Sequence, residues 1–214
     1  MKRFLSMVCL VCCVVCANAQ TITDVFTAMP DSLQPLLTKT NRLDLIDFKK
    51  SKMKAEVTNN LNGKTELKEL TDHYLSLVLT PVSLCEMKML PIEDTYILCV
   101  VKTIKAVAQE SEVAFYSLDW KKLDTAIYLK YPMLSAFWKK PNKKLENAYH
   151  RAQKIYSVPY LEVHLKANTA DLTMHLNLDE LLIEERKEVS DFLHKDFVLS
   201  WQNGKFQAQG ALSN

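Results

Sequence analysis

The stretch YLSLVLTPVSLCEMKMLPIEDTYILCVVKTIKAVAQESEVAFYSLDW, residues 74–120, decides the fold. Its pattern predicts four consecutive β-strands joined by short connections: Tyr74–Thr80, Leu84–Leu90, Thr95–Ala106 and Glu112–Trp120. Apolar residues recur at every second position of the first two strands, which indicates one buried and one solvated face. The third strand is apolar on both faces, so we expect it to be central and covered on both sides. An α+β fold is predicted, with helices packed on antiparallel β-meander sheets.

The register of this meander follows from its apolar positions, because a slip of one residue moves every side chain to the other face. The apolar residues of the first two strands match when Leu79 faces Cys85. A turn centred on Ile92 then places Cys85 opposite Cys99 in the third strand. We therefore expect the two cysteines on one face of adjacent strands.

The first 19 residues, MKRFLSMVCLVCCVVCANA, have the organisation of a secretory signal peptide. A basic start precedes a short apolar run, and Ala17-Asn18-Ala19 has the small residues of a cleavage site. We expect cleavage before Gln20 and export to the periplasm or cell surface. A lipoprotein anchor is the nearest alternative, although no cysteine here follows the small residue that usually precedes a lipidated one. Neither this run nor any later one is long enough to predict a transmembrane segment.

Export would leave two of the six cysteines, Cys85 and Cys99, in an oxidising compartment where a disulfide persists. A bridge between them is one expectation. Directly opposed residues have Cβ atoms about 4.5–5.5 Å apart, slightly more than the ~3.5–4.5 Å of a disulfide. Two buried thiols that pack as small apolar side chains are the alternative. A catalytic thiol is not favoured, because Cys99 lies in the most apolar strand.

Charge and composition exclude several classes of function. Without residues 1–19 the chain has 25 basic and 25 acidic residues, which argues against nucleic-acid binding. Three glycines cannot form a phosphate loop, and neither a nucleophile elbow nor an HExxH helix occurs. We expect no cofactor and favour a non-catalytic binding or structural protein, with an envelope protein or a polysaccharide as the partner. A secreted hydrolase with an unfamiliar site is an alternative.

The flanking sequence predicts helices and two further hairpins. Helices are expected near residues 25–29, from Thr40 or Asn41 to Met53, and over 142–155 and 181–193. Residues 160–178 predict a hairpin with His164 opposite His175, a pair that is a candidate metal site although further ligands are normally needed. Solvated histidines are the simpler interpretation. Asn203-Gly204 predicts a type I′ turn that pairs Trp201 with Phe206.

Two features of the second half leave alternatives open. Residues 20–214 form one predicted domain, but a weak repetition of helix, hairpin and Trp-ended strand also suggests two related lobes, 20–120 and 121–214.

Residues 121–156 hold nine basic and two acidic residues among aromatic ones, which suits a glycan-binding module. Its candidate ligand-binding residues are Tyr131, Trp138, Lys139 and Lys140, and Trp120 and Trp201 are further platform candidates. Residues 171–196 hold eight acidic and three basic residues, so the two segments are also explained by mutual charge balance.

Three segments carry a resemblance to a known family: AMPDSLQPLLTKTNRLDLIDF (28–48), KMKAEVTNNLNGKTELKELTDHYLSLVLT (52–80) and EMKMLP (86–91). With the signal ending in Ala-Gln, they resemble a family of secreted proteins of unknown function from Bacteroidales bacteria. The resemblance covers nearly the whole mature chain, implies a compartment and a lineage, and supplies no site residues. The order of elements also resembles, loosely, the PepSY and β-lactamase-inhibitor-like periplasmic proteins. Such architectural likeness does not settle function.

Overall fold

The structure, a computed structural model, describes residues 20–105 and 108–208 and has an α+β fold with two antiparallel sheets. The predicted signal peptide lies outside the described residues. Helices α1 (Ile22–Thr27) and α2 (Lys39–Lys50) precede the first sheet. The α2 helix begins earlier than the predicted Thr40, because the hydroxyl of Thr38 accepts a hydrogen bond from the Asn41 amide at 3.2 Å.

The first sheet has seven strands in sequential order. They are β1 (Glu56–Thr58), β2 (Lys64–Leu70), β3 (Tyr74–Thr80), β4 (Ser83–Ile92), β5 (Thr95–Lys105), β6 (Gln109–Tyr116) and β7 (Lys122–Leu123). The four predicted strands are confirmed as β3 to β6, but the last one ends at Tyr116 and not at the predicted Trp120, which lies in the following turn with a positive φ of 65°. The β1–β2 hairpin was not predicted; the Asn59 side chain stabilises its turn by accepting from the Gly63 amide and donating to the carbonyl oxygen of Leu79.

Strand β5 separates two apolar cores, and the prediction that it is covered on both faces is confirmed. Leu98 and Val100 point to the helix-side core, which includes α1 and α2. Cys99 and Val101 point to the inter-sheet core, which the second sheet completes. Alternate residues of one strand thus belong to different cores, as a strand with side chains on two faces requires.

The predicted pairing of Cys85 with Cys99 is wrong. Cys85 pairs with Lys102, and Lys88 pairs with Cys99. The observed register of β4 and β5 differs from the predicted one by an odd number of residues. The reason is that the turn between them is the pair Glu93-Asp94 and not a loop centred on Ile92. An odd displacement moves Cys99 to the other face of the sheet.

The disulfide predicted between Cys85 and Cys99 is consequently wrong as well. Both are free thiols, with Cys85 in the helix-side core and Cys99 in the inter-sheet core. Burial raises the pKa of the Cys85 thiol to about 12 and that of Cys99 further. The two thiols therefore act as small apolar core side chains, which was the alternative interpretation.

The pairing of β3 with β4 also differs from the prediction. Leu77, not Leu79, faces Cys85, and the strands are irregular between Val78 and Thr80. The β3–β4 register thus differs from the predicted one by an even number of residues. The side chains that were expected on the buried face therefore stay on it, and Leu75, Leu77 and Met87 are buried.

Between residues 121 and 208 the chain forms three α-helices and the smaller sheet. The helices are α3 (Thr125–Tyr128), α4 (Glu146–Ile155) and α5 (Ile183–Ser190). The sheet has the order β11-β10-β9-β8, from strands β8 (Tyr160–Leu165), β9 (Asp171–Asn177), β10 (Asp196–Gln202) and β11 (Lys205–Ala208). Both predicted hairpins and the pairing of Trp201 with Phe206 are confirmed. Within the described part of the chain, no helix is long and apolar enough to cross a membrane.

The two sheets pack through the inter-sheet core, which contains residues from both halves of the chain. Polar contacts add to this packing: Lys88 Nζ donates to the carbonyl oxygens of Lys166 and Ala167 at 2.6 and 2.9 Å. The Val163 amide of β8 donates to Ser111 Oγ of β6 at 2.9 Å. The division into two related lobes stays a prediction.

A buried arginine fixes the connection between α1 and α2. Arg42 is 1% exposed, and its guanidinium donates to the carbonyl oxygens of Met29 and Leu37 at 2.6 and 2.8 Å. It also contacts the carboxylate of Asp31 at 2.9 Å, whose side chain is 66% exposed. Since buried carbonyls need donors, the guanidinium is what keeps this loop against the core.

We expect Arg42→Met to lower the free energy of unfolding by about 3 kcal/mol, because two buried carbonyl oxygens lose their donors. Asp31→Asn is the matched control and should cost less than about 1 kcal/mol, since the Asp31 side chain is 66% exposed and the guanidinium keeps both carbonyl acceptors. Equilibrium urea unfolding measures both values. Equal losses in the two variants would contradict the role given to Arg42.

Candidate functional site

A concavity lined mainly by apolar and aromatic side chains lies where two hairpin turns meet α3. We call it the aromatic cleft; its volume is about 570 Å³, and it is lined by Pro91, Ile92, Glu93, Ile127, Tyr128, Trp201, Asn203 and Gly204. The β4–β5 turn forms one wall, the β10–β11 turn another, and α3 the third. Its size is in the range of small-ligand sites, roughly 300–1,000 Å³.

Turn geometry places the two hairpin tips beside each other. Asn203 and Gly204 both have positive φ, 51° and 73°, as a two-residue type I′ turn requires. Ile92 lies against Gly204, where a Cβ atom would be 3.5 Å from the Ile92 side chain. Glu93 also has positive φ, 49°, at the tip of the other hairpin. The polar ends of both turns therefore form the rim of the cleft.

Two aromatic rings, Tyr128 and Trp201, line the cleft, and a third, Phe115, packs against them from the core. Phe115 is buried and lies 5.0 Å from the Tyr128 ring, centroid to centroid. Tyr128 and Trp201 are stacked at 6.2 Å with 26° between their planes. The Trp201 indole N–H donates to the carbonyl oxygen of Pro91 at 2.6 Å, which fixes the ring orientation. Packing on a buried ring and this hydrogen bond make the pair a preformed surface.

The charge of the cleft is as informative as its shape. Neither Lys nor Arg is among the residues that line it, and its charged group is the exposed carboxylate of Glu93. Asn203 adds an exposed amide. Such a site offers aromatic faces and a few hydrogen-bonding groups, but no cation to hold an anionic ligand.

The structure places the sequence-predicted ligand residues elsewhere. Trp138 packs edge to face on Tyr149 at 5.6 Å, and Lys139 Nζ donates to the carbonyl oxygen of Asp191 at 3.3 Å. Lys140 is exposed and Tyr131 is 39% exposed, and neither lines the cleft. A role of these four residues in ligand binding stays a prediction.

Two other expectations for this region have structural outcomes. Trp120 is buried, with its indole N–H donating to the carbonyl oxygen of Val25 at 2.8 Å, so it is a packing residue. Arg151 of the basic segment, residues 121–156, forms an ion pair with Glu188 of the acidic segment, residues 171–196, at 3.0 Å. This contact agrees with mutual charge balance between the two segments. The basic-aromatic segment instead contributes Ile127 and Tyr128 to the aromatic cleft.

A second place concentrates titratable groups, and we call it the imidazole cluster: Tyr74, Glu86, Glu162 and His164. His164 Nδ1 lies 3.1 Å from Glu86 Oε2, and Nε2 lies 2.9 Å from Glu162 Oε1. The Tyr74 hydroxyl donates to the other oxygen of Glu86 at 2.7 Å. A shallow pocket of about 180 Å³ adjoins Tyr74, Glu86 and His164. The hydrogen bond to Glu86 raises the pKa of His164, against the opposing effect of burial.

The predicted opposition of His164 and His175 is wrong, because His164 pairs with Thr173 and His175 pairs with Glu162. This displacement is even, so the two imidazoles still share a face of the hairpin. His175 Nδ1 instead lies 2.7 Å from Asp196 Oδ1. Among residues 20–105 and 108–208, no group of three or more His, Cys, Asp or Glu side chains is placed to hold a metal ion.

The chemistry of the imidazole cluster differs from that of a general base. A base needs a free nitrogen lone pair directed at a substrate. Both ring nitrogens of His164 are occupied by carboxylates, an arrangement that the doubly protonated ring satisfies best. The cluster therefore holds charge across the junction of the two sheets. Glu86 and His164 are 78 residues apart in the chain, so no sequence pattern indicated this contact.

Comparisons with known proteins add the family and the fold. A solved structure titled as a domain of an uncharacterized protein from Porphyromonas gingivalis W83 is similar, with a TM-score of 0.78 and 24% identity. The match covers 90% of this chain and 100% of that one, and at this identity it shows the fold alone. No curated protein matches the chain. The model of the family described as "Protein of unknown function (DUF3256)" matches residues 14–206, and the chain therefore belongs to the DUF3256 family.

Proposed function

We propose that this protein is an exported, non-catalytic binding protein of the periplasm or cell surface, and that its aromatic cleft binds neutral glycans. The observation that carries the proposal is the preformed Tyr128–Trp201 pair in a cleft without cationic residues. Export is supported by the signal-like pattern of residues 1–19.

A sugar ring has an apolar face and a polar edge, and the cleft offers a matching surface for each. One face of a pyranose presents C–H groups, which pack on the flat faces of Tyr and Trp rings. The hydroxyl edge needs donors and acceptors, which the Glu93 carboxylate and the Asn203 amide provide at the rim. A charged polysaccharide is disfavoured, because its acidic groups would meet Glu93 and no compensating cation.

The exposed residue Ile127 allows a test that leaves the core unchanged. We expect Ile127→Lys to weaken binding of neutral oligosaccharides by at least about tenfold, since the new side chain fills the cleft. The matched control is Ile104→Lys: the two side chains are 61% and 60% exposed, and Ile104 lies on β5 away from the cleft. Saturation-transfer NMR and calorimetry against a panel of neutral and acidic di- to tetrasaccharides give the affinities.

Trp201→Ala supports the same test, because it removes one ring of the pair and should abolish binding. Equal losses in both lysine variants, or binding of acidic sugars alone, would refute the assignment of the cleft to neutral glycans. Binding of an apolar peptide to the cleft, with no sugar bound, would replace it with a protein partner.

Export is tested separately, by fractionating source cells and sequencing the mature N-terminus. We expect the protein in the periplasmic or surface fraction with Gln20 as its first residue, because cleavage follows Ala19. Incorporation of labelled fatty acid would show a lipoprotein instead. An uncleaved chain in the cytoplasm would contradict the proposed compartment.

A further inference from the structure

The imidazole cluster joins the two sheets through one side chain. His164 belongs to β8 in the small sheet, and Glu86 belongs to β4 in the large sheet, with 3.1 Å between Nδ1 and Oε2. Its other nitrogen contacts Glu162, two residues away on the same strand, at 2.9 Å. The contact thus consists of one imidazole held between two carboxylates.

Proton counting shows which form of the ring fits. A neutral imidazole has one N–H and one lone pair, so only one of the two carboxylates could accept a hydrogen bond from it. The other carboxylate oxygen would face a lone pair at hydrogen-bonding distance, which is repulsive. The imidazolium donates to both. The side chains of Glu86 and Glu162 are only 12% and 16% exposed, so water stabilises their negative charges only weakly.

The neighbouring charges do not replace His164. Lys68 and Glu69 of β2 line the same pocket, but Lys68 Nζ is paired with Glu66 at 2.7 Å. Lys88 Nζ donates to the carbonyl oxygens of the β8–β9 connection. Among residues 20–105 and 108–208, no cationic side chain other than His164 forms an ion pair with Glu86 or Glu162.

The remaining groups around the ring are also accounted for. On β3 the Tyr74 hydroxyl donates to Glu86, and on β9 Thr173 lies opposite His164. The nearest titratable groups of β9 have other partners: His175 with Asp196, and Asp171 with Ser200.

We propose that His164 is a proton-controlled latch between the two sheets, closed when the imidazole is protonated and released when it loses its proton. Release leaves two poorly solvated carboxylates near an uncharged ring, so β8 loosens from β4 and the adjoining pocket widens. The proposal goes beyond glycan binding and does not depend on it, since the latch residues do not line the aromatic cleft.

The direction of the pH dependence follows from the interactions of the folded state. The carboxylates raise the pKa of His164 above its ordinary value of about 6.5. The latch is therefore complete below about pH 6.5 and is lost as the pH rises through the higher value of the folded protein.

Two NMR measurements on the full mature protein test the latch. The imidazole shifts of His164 should titrate with a midpoint above about 6.5, and Glu86→Gln should lower that midpoint toward the ordinary value. The Val163 amide, which bonds Ser111 across the sheets, should exchange at least about tenfold faster in His164→Gln than in the wild type near pH 5.5. Near pH 8.5 the two proteins should agree within about twofold.

His175→Gln is the matched control, since His175 lies on the same face of the hairpin but pairs with Asp196 within the small sheet. It should leave Val163 exchange as in the wild type at both pH values. A wild-type midpoint at or below the ordinary value, or one unchanged by Glu86→Gln, would overturn the latch even if His164→Gln failed to fold. An exchange difference independent of pH would show a merely structural contact.

Discussion

Burial of both faces of β5 is the constraint on which the rest of the structure depends. A strand that presents Leu98 and Val100 to one side and Cys99 and Val101 to the other needs a cover on each side. Helices α1 and α2 provide one cover, and the small sheet provides the other. Because neither cover alone buries the whole strand, we infer that the large sheet and its two covers stabilise each other.

Both candidate sites depend on how β4 pairs with this strand. Glu86 and Ile92 lie on the inter-sheet face of β4, six residues apart, and each reaches a different site. Glu86 meets His164 of the small sheet, while Ile92 reaches the turn after Trp201. A slip of one residue would move both side chains to the helix side and dismantle the imidazole cluster and the aromatic cleft together.

Strand identity was predictable from the sequence, but pairing was less so. Alternation identified β3 to β6, and Asn203-Gly204 correctly paired Trp201 with Phe206. The β4–β5 register was missed because Glu93 takes the positive φ of a tight turn, which its residue type does not indicate. The short charged strands β1 and β2 were missed because their outward side chains obscure the alternation of Thr65 and Leu67.

The candidate sites were less predictable still, because they join residues distant in the chain. Trp201 was a platform candidate by residue type, but its partner Tyr128 lies in another segment and is brought close by α3. Nothing in a linear pattern connects Glu86 with His164. Histidine spacing indicated a pair across one hairpin, whereas each imidazole has a carboxylate partner on another strand.

The pairing of β4 with β5 is tested most directly by interstrand nuclear Overhauser effects in the isotope-labelled mature protein. The structure predicts backbone contacts between Lys88 and Cys99 and between Met87 and Val100, with Cys85 beside Lys102. Backbone contacts between Cys85 and Cys99 would contradict the account, because they would place both cysteines in one core and remove Glu86 from His164.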